Sequence, residues 1–210
     1  MVGNGWTRET ITVVTRTYPE CSKKYGCLVC TAGISAEGQW RRLYPIPWAL
    51  FWGKDTKGSF GKWDVISVPT RKAVKDRRPE SYEVDAAAIQ QNLKVEGRLA
   101  GWDERRKLLE PFLDPNLEGL KGGDRSLGFV KPLEVTDFLV QERQRIRDPD
   151  EILTLEKTEQ AQQMLLGDWE PPIIKKSRTP PESLPWIGYK FSCHGEDCRG
   201  HSMMCIDWEI

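Results

Sequence analysis

Residues 27–46 read Cys-Leu-Val-Cys-Thr-Ala-Gly-Ile-Ser-Ala-Glu-Gly-Gln-Trp-Arg-Arg-Leu-Tyr-Pro-Ile, and their pattern decides the fold of the N-terminal half. Cys27 to Ile34 is an apolar strand. Ala36-Glu37-Gly38 supplies turn residues, and Gln39 to Ile46 continues as a second strand carrying Trp40, Leu43 and Tyr44. Upstream, Thr10 to Tyr18 is rich in β-branched residues and stops at Pro19, which predicts a strand just before this pair. Three strands in close succession imply an antiparallel meander. After an aromatic and basic loop over Trp48 to Lys62, Trp63 to Val68 resumes as a strand, so this half reads as a small β-barrel or strongly curved sheet.

The middle of the chain changes character. Asp85 is placed to cap a short helix through Ala86, Ala87, Ala88 and Ile89, and Asp103 and Glu104 suit the first turn of another helix that Pro111 ends or kinks. Gly119 to Gly128 reads as a surface turn. Phe129 to Val140 reads as one long returning strand, and Asp148-Pro149-Asp150 opens a helix reaching Gly167. The expected class is α+β: a barrel-like antiparallel sheet and a helical middle within residues 1–170, then a connector and a terminal hairpin. The connector, 171–185, holds five prolines and a Lys-Lys-Ser-Arg run. In the hairpin, 186–210, Trp186 to Ser192 faces Met203 to Ile210, with Trp186 and Trp208 as docking anchors.

Within that hairpin Cys193, Cys198, His201 and Cys205 form Cys-x4-Cys-x2-His-x3-Cys. Three thiols and an imidazole suit a tetrahedral, borderline-soft cation, so the expectation is a structural zinc ion that stabilises a hairpin too small to fold unaided. An iron–sulfur cluster is the less favoured alternative. Cys27 and Cys30 have a Cys-x2-Cys spacing, but they sit in a strand, where positions three apart face opposite sides. Together with Cys21 they read as buried thiols. No apolar secretory segment marks the N-terminus, so the expected compartment is a reducing cytoplasm without disulfides. No apolar run approaches the ~20 residues of a membrane span.

Formal charge is zero, but Trp40 to Arg78 holds ten Lys and Arg against three Asp and Glu, whereas residues 79–170 hold twelve against twenty. The basic stretch interleaves cations with rings. Stacking on bases plus neutralised phosphates is the chemistry of nucleic-acid binding, with single strands or RNA favoured as the partner. The residues expected to carry it are Arg41, Arg42, Trp48, Trp52, Arg71, Lys72, Lys75, Arg77 and Arg78. A metal-dependent enzyme acting on nucleic acid is the alternative. Asp207 and Glu209 share a strand face and Lys190 lies on the facing strand, as a nuclease would use them. His194-Gly195-Glu196 imitates part of a deaminase motif, a weaker reading because four protein ligands would leave the metal no open position. A protein–protein adaptor within a larger complex is the third class.

Overall fold

The computed structural model describes residues 5–22, 25–51, 59–86, 89–141, 160, 162–166, 186–196 and 198–207. Strand β1 (Thr7–Arg16) is followed by the short β2 (Glu20–Ser22), then β3 (Gly26–Ser35) and β4 (Trp40–Pro47). Gly38 turns the β3–β4 hairpin with φ +72°, a left-handed conformation that glycine adopts without steric cost. After a 3-10 turn at Trp48–Phe51 come β5 (Asp64–Lys72), β6 (Ser81–Val84), helix α1 (Ile89–Asn92) and β7 (Lys94–Arg98). Strands β1, β3, β4, β6 and β5 close on themselves through a β1–β5 pairing, and β7 adds to β5 outside the ring. The expected barrel is therefore present. One pairing departs from the antiparallel expectation: β4 runs parallel to β6, with Arg42 opposite Ser81 and Leu43 opposite Tyr82. Strand β6 forms an ordinary antiparallel hairpin with β5, and a closed ring of five strands must contain at least one parallel pair.

Period-two alternation fills the barrel. Ile11 and Val13 of β1, Ile66 and Val68 of β5, and Leu43 of β4 meet Leu50, Phe60 and Ile89 in one buried cluster. Each such side chain contributes roughly 1.5–3 kcal/mol when removed from water. Val14, the next residue after inward-facing Val13, points to the outer face, where it packs with Ala32 and Ile34. Helix α2 (Trp102–Leu109) and the following 3-10 turn cover that outer patch with Leu108, Leu109 and Phe112. Gly33 lies where β1 and β3 press closest, since a Cβ there would stand 2.6 Å from the Thr12 carbonyl oxygen and 2.5 Å from Ile11 Cγ2.

Beyond the barrel, β8 (Leu113–Asp114) pairs in parallel with β9 (Phe129–Val130), and helix α3 (Leu117–Lys121) lies between them in sequence. The long strand expected over Phe129 to Val140 is broken: Lys131, Pro132 and Leu133 separate β9 from β10 (Glu134–Gln141). Strands β10, β11 (Trp186–Ser192) and β12 (His201–Cys205) form a second antiparallel sheet. Thus the terminal hairpin is two strands of a three-stranded sheet. The connector at 171–185, Trp208 and most of the helix expected after Asp148 lie outside the described residues; 162–166 are helical. Among the described residues no helix is long and apolar enough to cross a membrane.

Contrary to the expectation of free thiols, Cys21 and Cys27 form a disulfide. They stand directly opposite each other in the β2–β3 pairing, a register that brings the two sulfurs together.

Candidate functional site

Among the described residues two places gather chemistry-bearing side chains, and the first lies at the β11–β12 turn. Cys193 follows β11 directly, and Gly195 and Gly200, with φ of +142° and +84°, fold the connecting loop back on itself. The Cys193 N–H donates to Cys198 Sγ at 3.1 Å, and Cys198 Sγ lies 3.5 Å from His201 Nε2. The fourth corner is Glu118, whose Oε1 lies 3.1 Å from the same imidazole nitrogen. Asn116 builds this corner, because its side chain caps α3 by accepting from the Gly119 N–H at 2.8 Å and so fixes the first helical turn, which carries Glu118. Ligand atoms of Glu118, Cys193, Cys198 and His201 lie within 4.8 Å of one another, and the cluster could hold a metal ion. The 3.5 and 3.1 Å separations suit edges of a tetrahedron centred about 2.0–2.3 Å from each atom. Burial pushes the Cys193 thiol up, and the Leu117 backbone N–H opposes that shift by hydrogen bonding to it.

Cys205 stands apart from this group. His201 is opposite Phe191 and Cys205 is opposite Ile187, so the two lie four residues apart along one strand, about 13 Å at strand rise. Sequence spacing suggested four local ligands; the extended strand removes one of them. Its replacement, Glu118, directly precedes the segment expected to be a surface turn, Gly119 to Gly128, and carries no spacing signal. His194 and Glu196 are exposed and outside the group.

Among the described residues, Asp207 and Lys190 of the nuclease-like constellation are each engaged elsewhere. Asp207 is 11 % exposed, accepts from Thr15 Oγ1 at 3.0 Å and pairs with Lys62, while its backbone bridges to Thr17. It fastens the end of the second sheet to the barrel. Lys190 pairs with Asp137 at 3.2 Å near the other end of β11, and Glu209 lies outside the described residues.

The second place is a cavity of about 710 Å3 at the barrel wall. Its cations are Arg42, Arg71, Lys75 and Arg78, matched by the carboxylates of Glu20, Asp76, Glu83 and Asp85. Trp6, Tyr18, Tyr44 and Tyr82 supply rings, with Leu28, Val84 and Leu165 among the apolar lining. The segment after β5 is tightly tied down. Arg78 Nε donates to Asp76 Oδ1 at 2.8 Å, Ser81 Oγ donates to Asp76 Oδ2 at 2.7 Å, and Lys72 Nζ donates to the carbonyls of Arg78 and Pro79 at 2.6 and 2.8 Å. Partial burial alone would raise the Asp76 carboxyl, but hydrogen bonds from Arg78 and Ser81 and the Arg78 charge outweigh it and hold the group at about 2. Arg42 donates to Ser126 Oγ at 2.9 Å, and Ser126 passes both its N–H and its hydroxyl to buried Glu80. Burial pushes the Tyr44 phenol up.

Of the residues expected to meet nucleic acid, the fold brings Arg42, Arg71, Lys75 and Arg78 to this cavity, and Arg77 is exposed on the same segment. Lys72 is occupied in bracing that segment. Arg41 is buried and held by Glu9 and Gln39, and Trp48 is buried core, so neither belongs to a surface that meets a polyanion. Arg41 follows the strand alternation of β4 into the interior, and Trp48 is buried at the start of the 3-10 turn that follows it. Trp52 lies outside the described residues. Trp6, Tyr82, Asp76 and Glu80 went unread in the sequence; the run Asp76-Arg-Arg-Pro-Glu-Ser-Tyr82, dense in turn formers and charges, was the available signal.

Residues 7–111, half of the chain, match a family model described as "Domain of unknown function (DUF8758)". The chain belongs to this DUF8758 family. Its matched span is the barrel together with α2, and residues 118–210 match a second model, "Domain of unknown function (DUF8757)", which opens at Glu118. No curated protein and no solved structure matches the chain.

Proposed function

We propose that this DUF8758 chain is a nucleic-acid-binding protein whose C-terminal sheet is held by a structural zinc ion, serving in a larger nucleic-acid-processing system. The observation that carries the reading is a cation-bearing segment, Arg71 to Arg78, at an aromatic-lined cavity. Exposed Lys75 and Arg77 offer phosphate contacts, and the rings offer stacking surfaces. Zinc is favoured over an iron–sulfur cluster because the ligand set includes an imidazole and a carboxylate beside only two thiols. The N–H bonds from Cys193 to Cys198 and from Leu117 to Cys193 support thiolates in the manner of a metal knuckle.

Fluorescence anisotropy of a labelled single strand of about twelve nucleotides tests the binding claim. Affinity should fall with salt along a logarithmic slope of roughly −1.5 to −3, as for two to four phosphate contacts on a single strand. Absence of binding at low salt contradicts it. A protein partner also has an observation behind it: Phe138, Tyr189 and Met203 form an exposed apolar row across the second sheet.

A further inference from the structure

We infer that the cavity receives one unpaired nucleobase of a bound strand, while the sugar–phosphate chain stays outside on Lys75 and Arg77. The inference rests on the nucleic-acid reading above and deepens it. Its starting point is the charge of the lining. Four cations there are balanced by four carboxylates, and two of the pairs are closed: Arg71 Nη2 lies 2.6 Å from Glu83, and Arg78 grips Asp76 through both donors of its guanidinium edge. A phosphate entering such a space would lose its hydration and meet Glu20, Asp76, Glu83 and Asp85 without an uncommitted counter-charge of equal weight. An electroneutral ligand meets no such penalty.

Size and surface chemistry narrow the ligand further. A cavity of about 710 Å3 lies in the range that takes a small organic group, whereas a flat or shallow surface would suit a duplex backbone. Tyr18 and Tyr44 contribute rings to the lining, and Leu28, Val84 and Leu165 contribute apolar surface, so a planar group gains both stacking and burial there. Polar edges are available as well. Arg42, Ser81 and Gln162 bring polar side chains to the lining. A nucleobase combines flat apolar faces, a polar rim and zero net charge. Lys75 and Arg77, exposed on the same segment, supply the external phosphate contacts that attachment to a strand requires.

The decisive comparison uses the full chain with two labelled probes of equal charge: a mixed-sequence single strand of about twelve nucleotides, and a chain of the same length whose residues are all abasic. The abasic chain should bind at least about five-fold more weakly, the lower end of what one stacked base contributes. Cys30 lies in the cavity wall, so a saturating amount of the normal strand should slow its maleimide labelling while Cys205 labelling stays unchanged. Ala73→Trp, which places a large ring in the cavity, should erase the difference between the two probes without changing the salt slope. Equal binding of both probes by the unaltered protein, or unprotected Cys30 at saturation, overturns base insertion and leaves nucleic-acid binding standing. Failure of both probes to bind at low salt overturns the two readings together.

Discussion

Glu118 Oε1 lies 3.1 Å from His201 Nε2, joining the first turn of α3 to the first residue of β12. The group that could hold a metal ion therefore takes a carboxylate from a short helix where local spacing offered a thiol. It combines two sulfurs, an imidazole and one carboxylate whose side chain is 40 % exposed.

Glu118→Gln should therefore leave zinc bound but weaken it by about ten- to a hundred-fold, since the two thiolates and the imidazole remain while the charged oxygen is lost. Competition with a chromophoric chelator reads this directly. An unchanged affinity would remove Glu118 from the site.

Asp207→Ala should destabilise the fold by about 1–2 kcal/mol, because the Lys62 ammonium and the Thr15 hydroxyl both lose their acceptor in a mostly buried contact. Urea denaturation measures the change. Because Asp207 is a fastening between sheet and barrel, nucleic-acid affinity should be retained in the folded variant.

Gly33→Ala places a methyl group against the Thr12 carbonyl and Ile11, and neither strand can retreat without disturbing the closed barrel. Overpacking of this kind costs about 1–3 kcal/mol. A thermal scan should show a midpoint lower by several degrees, roughly 2–4 °C per kcal/mol for a chain of this size.

Asp76 has a folded value of about 2 against an ordinary 3.8, so its contribution to stability is fully present above pH 3.8 and is lost as pH falls from there through about 2. Stability of the natural protein should fall more steeply with acid across that window than stability of Asp76→Asn. Denaturation midpoints collected over the same pH series give the comparison, and parallel curves would contradict the assignment.

The strands were legible where one face is buried and the other is not. Ile11 and Val13, or Ile66 and Val68, recur at the two-residue period that a barrel wall requires, and Gly38 marked its turn. What sequence concealed was contact between distant segments. Ser81 to Val84 is too short to signal a strand, yet its parallel pairing with β4 positions the cavity. Arg41 looked like a phosphate ligand because composition records charge and not direction; strand alternation turns it inward to Glu9. Asp207 resembled a catalytic acid for the same reason, since its partner Lys62 is remote in sequence. For the metal group, Cys193, Cys198 and His201 were readable because one tight loop holds them, whereas Cys205 was misplaced by counting residues instead of strand rise.

Zinc content, measured on the purified protein and on two single variants, tests the centre of this account most directly. One zinc per chain should be found in the natural protein and in Cys205→Ser, and it should be lost from Cys198→Ser. A metal-free natural protein, or a Cys205→Ser variant that loses its zinc while Cys198→Ser keeps it, would contradict the site described here.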